Sequence, residues 1–124
     1  MTKILLIEDL PDNAALVRRA LSQTGYEVAH AADAETGLEM AVADPPALIL
    51  LDLGLPDYDG QTLAGWLRAE PSLAGVPIVA LTAWPEETAR EMVESYGFDG
   101  YLSKPIVKIS QFVAEINAYL QKSK

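Results

Sequence analysis

Glu8 and Asp9 follow the apolar run Lys3 to Ile7, Asp52 follows Ala47 to Leu51, Thr82 follows Val76 to Leu81, and Ser103 with Lys104 follow Phe98 to Leu102. Each run is short enough to be one buried strand, so the acids, the hydroxyl and the amine all stand at strand ends. Carboxylates drawn together there repel one another, and a hard divalent cation, a lysine ammonium or protonation of one acid must offset the repulsion. Magnesium suits such a set, because it takes oxygen ligands and keeps several waters; two carboxylates, a backbone carbonyl and a phosphate oxygen would leave it an open shell. A carboxylate held beside Mg²⁺ can attack phosphorus when the metal and a lysine neutralise the oxygens of the moving phosphoryl group and a hydroxyl fixes another. Asp52, Lys104 and Thr82 match those roles. An ionised carboxylate is already deprotonated at neutral pH and needs no histidine base. His30, the one histidine of the chain, is therefore read as structural or exposed.

Taken singly, these residues have ordinary alternatives. Glu8, Asp9 and Asp52 could be turn or cap residues, Thr82 a cap and Lys104 a surface charge. Their joint position is what singles them out: an apolar strand ends on an acid twice, and the hydroxyl and the lysine fall at two further strand ends.

The elements that would position them are legible from periodicity. Lys3 to Ile7 predicts a first strand, Pro11 and Asp12 open a helix that ends near Gly25, and Tyr26 to His30 predicts a second strand. Ala34, Leu38, Ala41 and Val42 recur on one helix face before Pro45 and Pro46 stop it, and Ala47 to Leu51 is the third strand. Gly60 opens a helix in which Leu63, Trp66 and Leu67 share a face. Val76 to Leu81 supplies a fourth strand with Pro77 at its beginning. Ala89, Met92, Val93 and Tyr96 define the next helix, which Gly97 can close in a left-handed conformation. Phe98 to Leu102 is a short fifth strand, and Ile109, Phe112, Val113, Ile116 and Leu120 mark the last helix. Strands that are apolar throughout and alternate with helices imply parallel pairing by right-handed crossovers, an α/β doubly wound sandwich. In such sheets functional groups gather in the crevice outside the carboxyl ends of the strands, where the acids, Thr82 and Lys104 stand.

Composition narrows the classes. The 124 residues fit one domain, expected to span 1–124, and show no linker, repeat or low-complexity tract. Without cysteine there can be no disulfide, thiolate nucleophile or Cys-ligated metal. No apolar run approaches the ~20 residues of a membrane span, and a cytoplasmic protein with no membrane contact is expected. A formal net charge of -9 repels a phosphate backbone, which argues against direct nucleic-acid binding.

At Ile7-Glu8-Asp9, Leu51-Asp52-Leu53, Leu55-Pro56, Asp59-Gly60, Ala80-Leu81-Thr82-Ala83 and Tyr101-Leu102-Ser103-Lys104-Pro105 the chain resembles the receiver domains of two-component response regulators. The resemblance covers essentially the whole chain, with its motifs in family order. It implies a flavodoxin-like fold of five parallel strands in the order 2-1-3-4-5 with five helices. It further implies Asp52 as phosphoacceptor, Glu8 and Asp9 as the acidic pair at Mg²⁺, Gly54 as a carbonyl ligand, and Thr82 and Lys104 on the phosphoryl oxygens. Lys104-Pro105 would be a cis peptide. Thr82 and Tyr101 would form a switch in which the hydroxyl moves toward the phosphoryl group and the aromatic ring turns inward behind it. The implied partners are a sensor histidine kinase or histidine phosphotransfer protein, and a downstream protein target reached by contact or onward transfer, since the sequence in hand ends at Lys124 without an output domain.

Trp84 departs from the commoner pattern, being bulky where many relatives carry smaller or polar residues. Its indole either covers the phosphoryl group, modulating its lifetime, or folds against the fourth helix. The alternative to a receiver is an Mg²⁺-dependent aspartate-nucleophile phosphatase of similar sheet topology, but Asp52-Leu53-Gly54 lacks the second carboxylate such an enzyme uses as acid and base. A flavin-binding module would need a Gly-, Ser- or Thr-rich first loop where Glu8 and Asp9 stand.

Overall fold

The structure, a computed structural model, describes residues 2–104 and 106–122. Its elements alternate strictly: β1 (Lys3–Ile7), α1 (Pro11–Ser22), β2 (Glu27–Ala31), α2 (Ala34–Ala43), β3 (Leu48–Asp52), α3 (Gly60–Ala69), β4 (Ile78–Thr82), α4 (Glu86–Tyr96), β5 (Gly100–Ser103) and α5 (Ile109–Lys122). The strands pair in parallel in the order β2-β1-β3-β4-β5, as the resemblance implies.

Both sheet faces are covered over the central strands, which is why β1, β3 and β4 read as apolar runs rather than alternating ones. Alternate residues divide them. Leu5, Ile7, Ile49, Leu51, Ile78 and Ala80 pack under α2, α3 and α4, against Ala41, Leu63, Leu67 and Met92. Ile4, Leu6, Leu48, Leu50, Val79 and Leu81 pack under α1 and α5, against Val17, Leu21, Phe112 and Ile116. Leu48, Ile49, Leu50 and Leu51 in the central strand are 0% exposed, and each such side chain contributes on the order of 1.5–3 kcal/mol by leaving water.

Local signals set the helix ends. Pro11 opens α1 at a position whose N–H has no intrahelical partner. Asp33 accepts from Thr36 N at 2.8 Å at the start of α2, and Asp59 accepts from Thr62 N at 2.7 Å at the start of α3. Gly97 closes α4 with φ 81°, a left-handed conformation that a side chain would strain. At the amino ends of the strands Arg68 donates to Gly97 O at 3.0 Å and Val76 O at 2.9 Å and pairs with Asp99, whose carboxylate also accepts from Ile78 N.

Several boundaries differ from those the sequence predicts. β2, β3 and β4 each run one residue further, so that Ala31, Asp52 and Thr82 belong to the sheet; β4 starts after Pro77 and β5 is Gly100–Ser103. The ladder continues as Asp52↔Leu81 and Thr82↔Ser103, and a backbone that can keep pairing does so whatever its side chain. α1 ends at Ser22, three residues before Gly25. A short 3-10 turn, Pro71–Leu73, was not anticipated; it seats Leu73, 0% exposed, beneath α2 and α3. Val42, Trp66 and Tyr96, assigned to buried faces by spacing, are instead 40%, 38% and 50% exposed, because each lies at the margin of its helix stripe.

Candidate functional site

Parallel strands present all their carboxyl ends on one edge, and the strand order brings residues distant in sequence side by side there. Ile7 pairs with Leu51, so Glu8 emerges next to Asp52. Lys104 follows β5, and its N–H donates to Thr82 O at 2.8 Å. The structure thus brings Glu8, Asp9, Asp52, Thr82 and Lys104 to one place. Glu8 and Thr82 are buried at 0% and 3% exposure, Asp52 at 6%, while Asp9 and Lys104 are half-buried.

The lysine spans two acids. Lys104 Nζ lies 2.9 Å from Asp52 Oδ1 and 3.1 Å from Glu8 Oε2. Asp52 Oδ1 also accepts from Gly54 N at 3.3 Å, and Glu8 Oε1 accepts from Leu10 N at 3.3 Å. Glu8 Oε2 is close enough to Lys104 for charge attraction, yet it has no hydrogen bond of proper geometry among the described residues. It is a buried acceptor facing the acidic cluster. Burial pushes the Glu8 carboxyl above the ordinary glutamate range, the Asp52 charge pushes it further, and Lys104 only partly offsets them. For Lys104 burial opposes the charge, but the two carboxylates outweigh it and the ammonium is held above its usual range.

One carboxylate oxygen from each of Glu8, Asp9 and Asp52 lies within 4.8 Å of the others. An oxygen-only donor set, with one buried acceptor lacking a hydrogen bond, fits a hard divalent cation such as Mg²⁺.

Thr82 Oγ1 accepts from Trp84 N at 3.0 Å, which leaves the hydroxyl proton to donate elsewhere. Tyr101 pairs with Ala80 and is half-buried against the core beneath α4, on the sheet face that Thr82 also shares. Trp84 is 41% exposed. Pro105 lies outside the described residues, and the cis peptide implied for Lys104-Pro105 with it.

Two residues contribute beyond the roles the sequence gives them: His30, read as structural or exposed, and Asp57, which the sequence does not single out. His30 is half-buried, and its Nε2 donates to the backbone carbonyl of Glu8 at 2.7 Å, fixing the turn that carries the acidic pair. Only the strand order puts the end of β2 beside that turn. Asp57, in the loop after β3, accepts from Ala34 N at 2.9 Å and Glu35 N at 3.1 Å. Those bonds, Ala34's foremost, hold its carboxyl below the usual range and tie the loop that leaves Asp52 to the start of α2.

A cation-ready acidic cluster with a lysine and a hydroxyl, at the carboxyl edge of a 2-1-3-4-5 sheet, defines a phosphoryl-accepting signalling domain. Residues 4–117 match the family model of the response regulator receiver domain, and the chain belongs to that family. It is 32% identical over 121 residues to the polar-differentiation response regulator DivK of Brucella ovis, spanning 97% of this chain and 98% of that protein. Among solved structures it resembles a putative response regulator of Chloroflexus aurantiacus (TM-score 0.90, 29% identity, 97% of this chain and 98% of that one). It also resembles the receiver domain of the sensor histidine kinase PA1611 of Pseudomonas aeruginosa, solved with a magnesium ion coordinated in the active site cleft (TM-score 0.88, 32% identity, 97% and 98% covered). The chain is a receiver domain, a phosphoacceptor of two-component signalling rather than an enzyme acting on a separate substrate. Among the described residues no helix is long and apolar enough to cross a membrane.

Proposed function

We propose that Asp52 takes the phosphoryl group, from the phosphohistidine of a sensor histidine kinase or a histidine phosphotransfer protein. The observation that carries this is the contact of Lys104 Nζ with both Asp52 and Glu8, which puts one ammonium between the central strand's carboxylate and the acidic pair. Glu8, Asp9 and Asp52, with the backbone carbonyl of Gly54, would hold Mg²⁺; when bound it supplies positive charge to the phosphoryl oxygens.

Asp52 Oδ1 is engaged by Lys104 and the Gly54 N–H, so Oδ2 is the oxygen assigned to attack. A bond forms between that oxygen and phosphorus as the phosphorus–nitrogen bond of the donor breaks, and the departing imidazole takes a proton from solvent. Lys104 then follows the charge onto a phosphoryl oxygen and the Thr82 hydroxyl donates to another. His30 keeps the Glu8 turn in place. Beside Lys104 an open, largely apolar groove of about 270 Å³, with Asn13, Leu16, Val17, Ala83 and Ile106 in its walls, gives the donor protein a place to approach. As Thr82 moves, Tyr101 turns inward and changes the α4–β5–α5 face for a downstream protein target. We place this traffic in the cytoplasm, where kinases have access to ATP.

The test is intact mass after incubation with Mg²⁺ and acetyl phosphate. One phosphoryl group should be gained, none without divalent metal and none in Asp52→Asn. Undiminished labelling of that variant would overturn the assignment.

A further inference from the structure

Away from the phosphoryl site, α2 and α3 leave a groove of about 470 Å³ between them, lined by Glu35, Leu38, Tyr58, Trp66, Ala69 and Glu70. Its floor is aromatic. Tyr58 and Trp66 meet edge to face, ring centroids 4.7 Å apart and planes at 74°, yet remain 44% and 38% exposed. Two large aromatic rings packed on each other at the surface are more than the fold requires, since neither belongs to the core clusters.

The groove's charge selects an occupant. Glu35 and Glu70 stand at its sides, and neither carboxylate makes an ion pair among the described residues. The two helices that form the groove supply no free cation among the described residues: α2 contains no Lys or Arg, and Arg68, the one cation of α3, is committed to Gly97, Val76 and Asp99. The walls are also fixed in advance. Asp57, next to Tyr58 in sequence, bonds the amides of Ala34 and Glu35, clamping the aromatic wall to the acidic one.

We infer that this groove is a docking site for an arginine-bearing segment of a partner protein. A guanidinium can stack on Trp66 or Tyr58 while forking toward Glu35 and Glu70, which an ammonium cannot do as well, and its apolar stem would lie on Leu38 and Ala69. A second copy of this chain is a poor occupant, because with a formal net charge of -9 it would bring like charge to an acidic groove. The loop bearing Asp57 and Tyr58 leaves directly from Asp52, so an occupant here would sense the phosphoryl site through that loop. The docking itself does not depend on which residue is phosphorylated.

The experiment titrates the ¹⁵N-labelled full chain with acetyl-Leu-Arg-Leu-amide, using the Gln and Glu versions of the peptide as controls. The Arg peptide should shift the indole N–H of Trp66 and the amides of Tyr58 and Glu70, the Gln peptide should do so more weakly, and the Glu peptide should have no effect. Glu35→Gln combined with Glu70→Gln should weaken the Arg peptide about fivefold, the size expected of two exposed ion pairs. Equal shifts with the Arg and Gln peptides would show apolar binding without charge selection. Shifts that depend on protein concentration without peptide would show self-association. Either result, or no shift at all, overturns the inference. Phosphorylation measured by mass on the same samples reports separately on Asp52.

Discussion

Lys104 reaches across the end of β4 to Asp52, placing its ammonium 2.9 Å from a carboxylate on the strand beyond. The same ammonium is the only cation paired with Glu8 among the described residues, so its removal would leave two buried acids facing each other.

Lys104→Met should therefore destabilise the protein without divalent metal by about 2–3 kcal/mol at neutral pH, somewhat less than a fully buried pair because Glu8 can take up a proton. Mg²⁺ should restore part of that loss. Because Lys104 is held above 10.5, its stabilising contribution is complete below that value and is lost as pH rises through the folded value. Urea denaturation with and without Mg²⁺ measures both effects; a variant as stable as the parent in the absence of metal would mean that Lys104 does not offset the acids.

Glu8 has the same sense, in a lower pH range. Its carboxyl is raised above 4.5 by burial and by Asp52, so the folded state retains a proton that the unfolded chain has released, and stability falls as pH climbs from the unfolded value to the folded one. Glu8→Gln should raise the unfolding midpoint of the metal-free protein at neutral pH, with the gain fading below 4.5. The parent should gain about 2.7 kcal/mol from Mg²⁺ at a hundredfold excess over its dissociation constant, and the variant much less. Equal stabilisation of both by Mg²⁺ would remove Glu8 from the metal site.

How the sequence foreshadows this site depends on the kind of information each residue carries. Asp52, Thr82 and Lys104 are legible because an apolar run buried on both faces must be a sheet strand, and such strands expose their chemistry only at their ends. The strand order is not legible in periodicity, which reports that a segment is buried but not beside what; it came with the family resemblance. His30 could be read as structural or exposed but not assigned its partner for that reason, since its bond to Glu8 O exists only because β2 lies next to β1. Asp57 was missed because a cap given to a helix 23 residues earlier leaves no local trace, unlike Asp33 and Asp59, which cap the helices they precede. Trp66 and Tyr96 fit the apolar spacing of their helices, yet large rings at the edge of a stripe can lie on the surface at little loss.

Thr82 and Tyr101 lie on the same sheet face, one strand apart, and Thr82 Oγ1 holds the Trp84 N–H at 3.0 Å. On the proposed switch, movement of the hydroxyl toward a phosphoryl oxygen would stretch that bond, and Tyr101 would turn inward behind it. Amide exchange with and without a stable phosphoryl mimic should change between Trp84 and Ile116, and Thr82→Ala should suppress the change while Asp52 still labels. Protection that stays constant across this span would place signalling elsewhere on the molecule.

The bond from the Trp84 N–H to Thr82 Oγ1 leads to a prediction about the lifetime of the phosphoryl group. The Trp84 amide reports on Thr82, while its side chain, 41% exposed, stands at the rim where β4 gives way to Pro85 and α4. Hydrolysis of an acyl phosphate needs water in line with the breaking bond, so an indole that swings over the site when Thr82 moves would obstruct that path without hindering phosphoryl transfer. Trp84→Ala should then shorten the phosphoryl lifetime and leave the rate of labelling by acetyl phosphate unchanged; an effect of about tenfold corresponds to about 1.4 kcal/mol of barrier. Trp84 fluorescence should respond to Mg²⁺ or a phosphoryl mimic in a Trp66→Phe background, where the second indole no longer contributes. A dephosphorylation rate within about twofold of the parent, less than about 0.5 kcal/mol, would mean that the indole stays clear of the water path and that Trp84 follows Thr82 through its backbone alone.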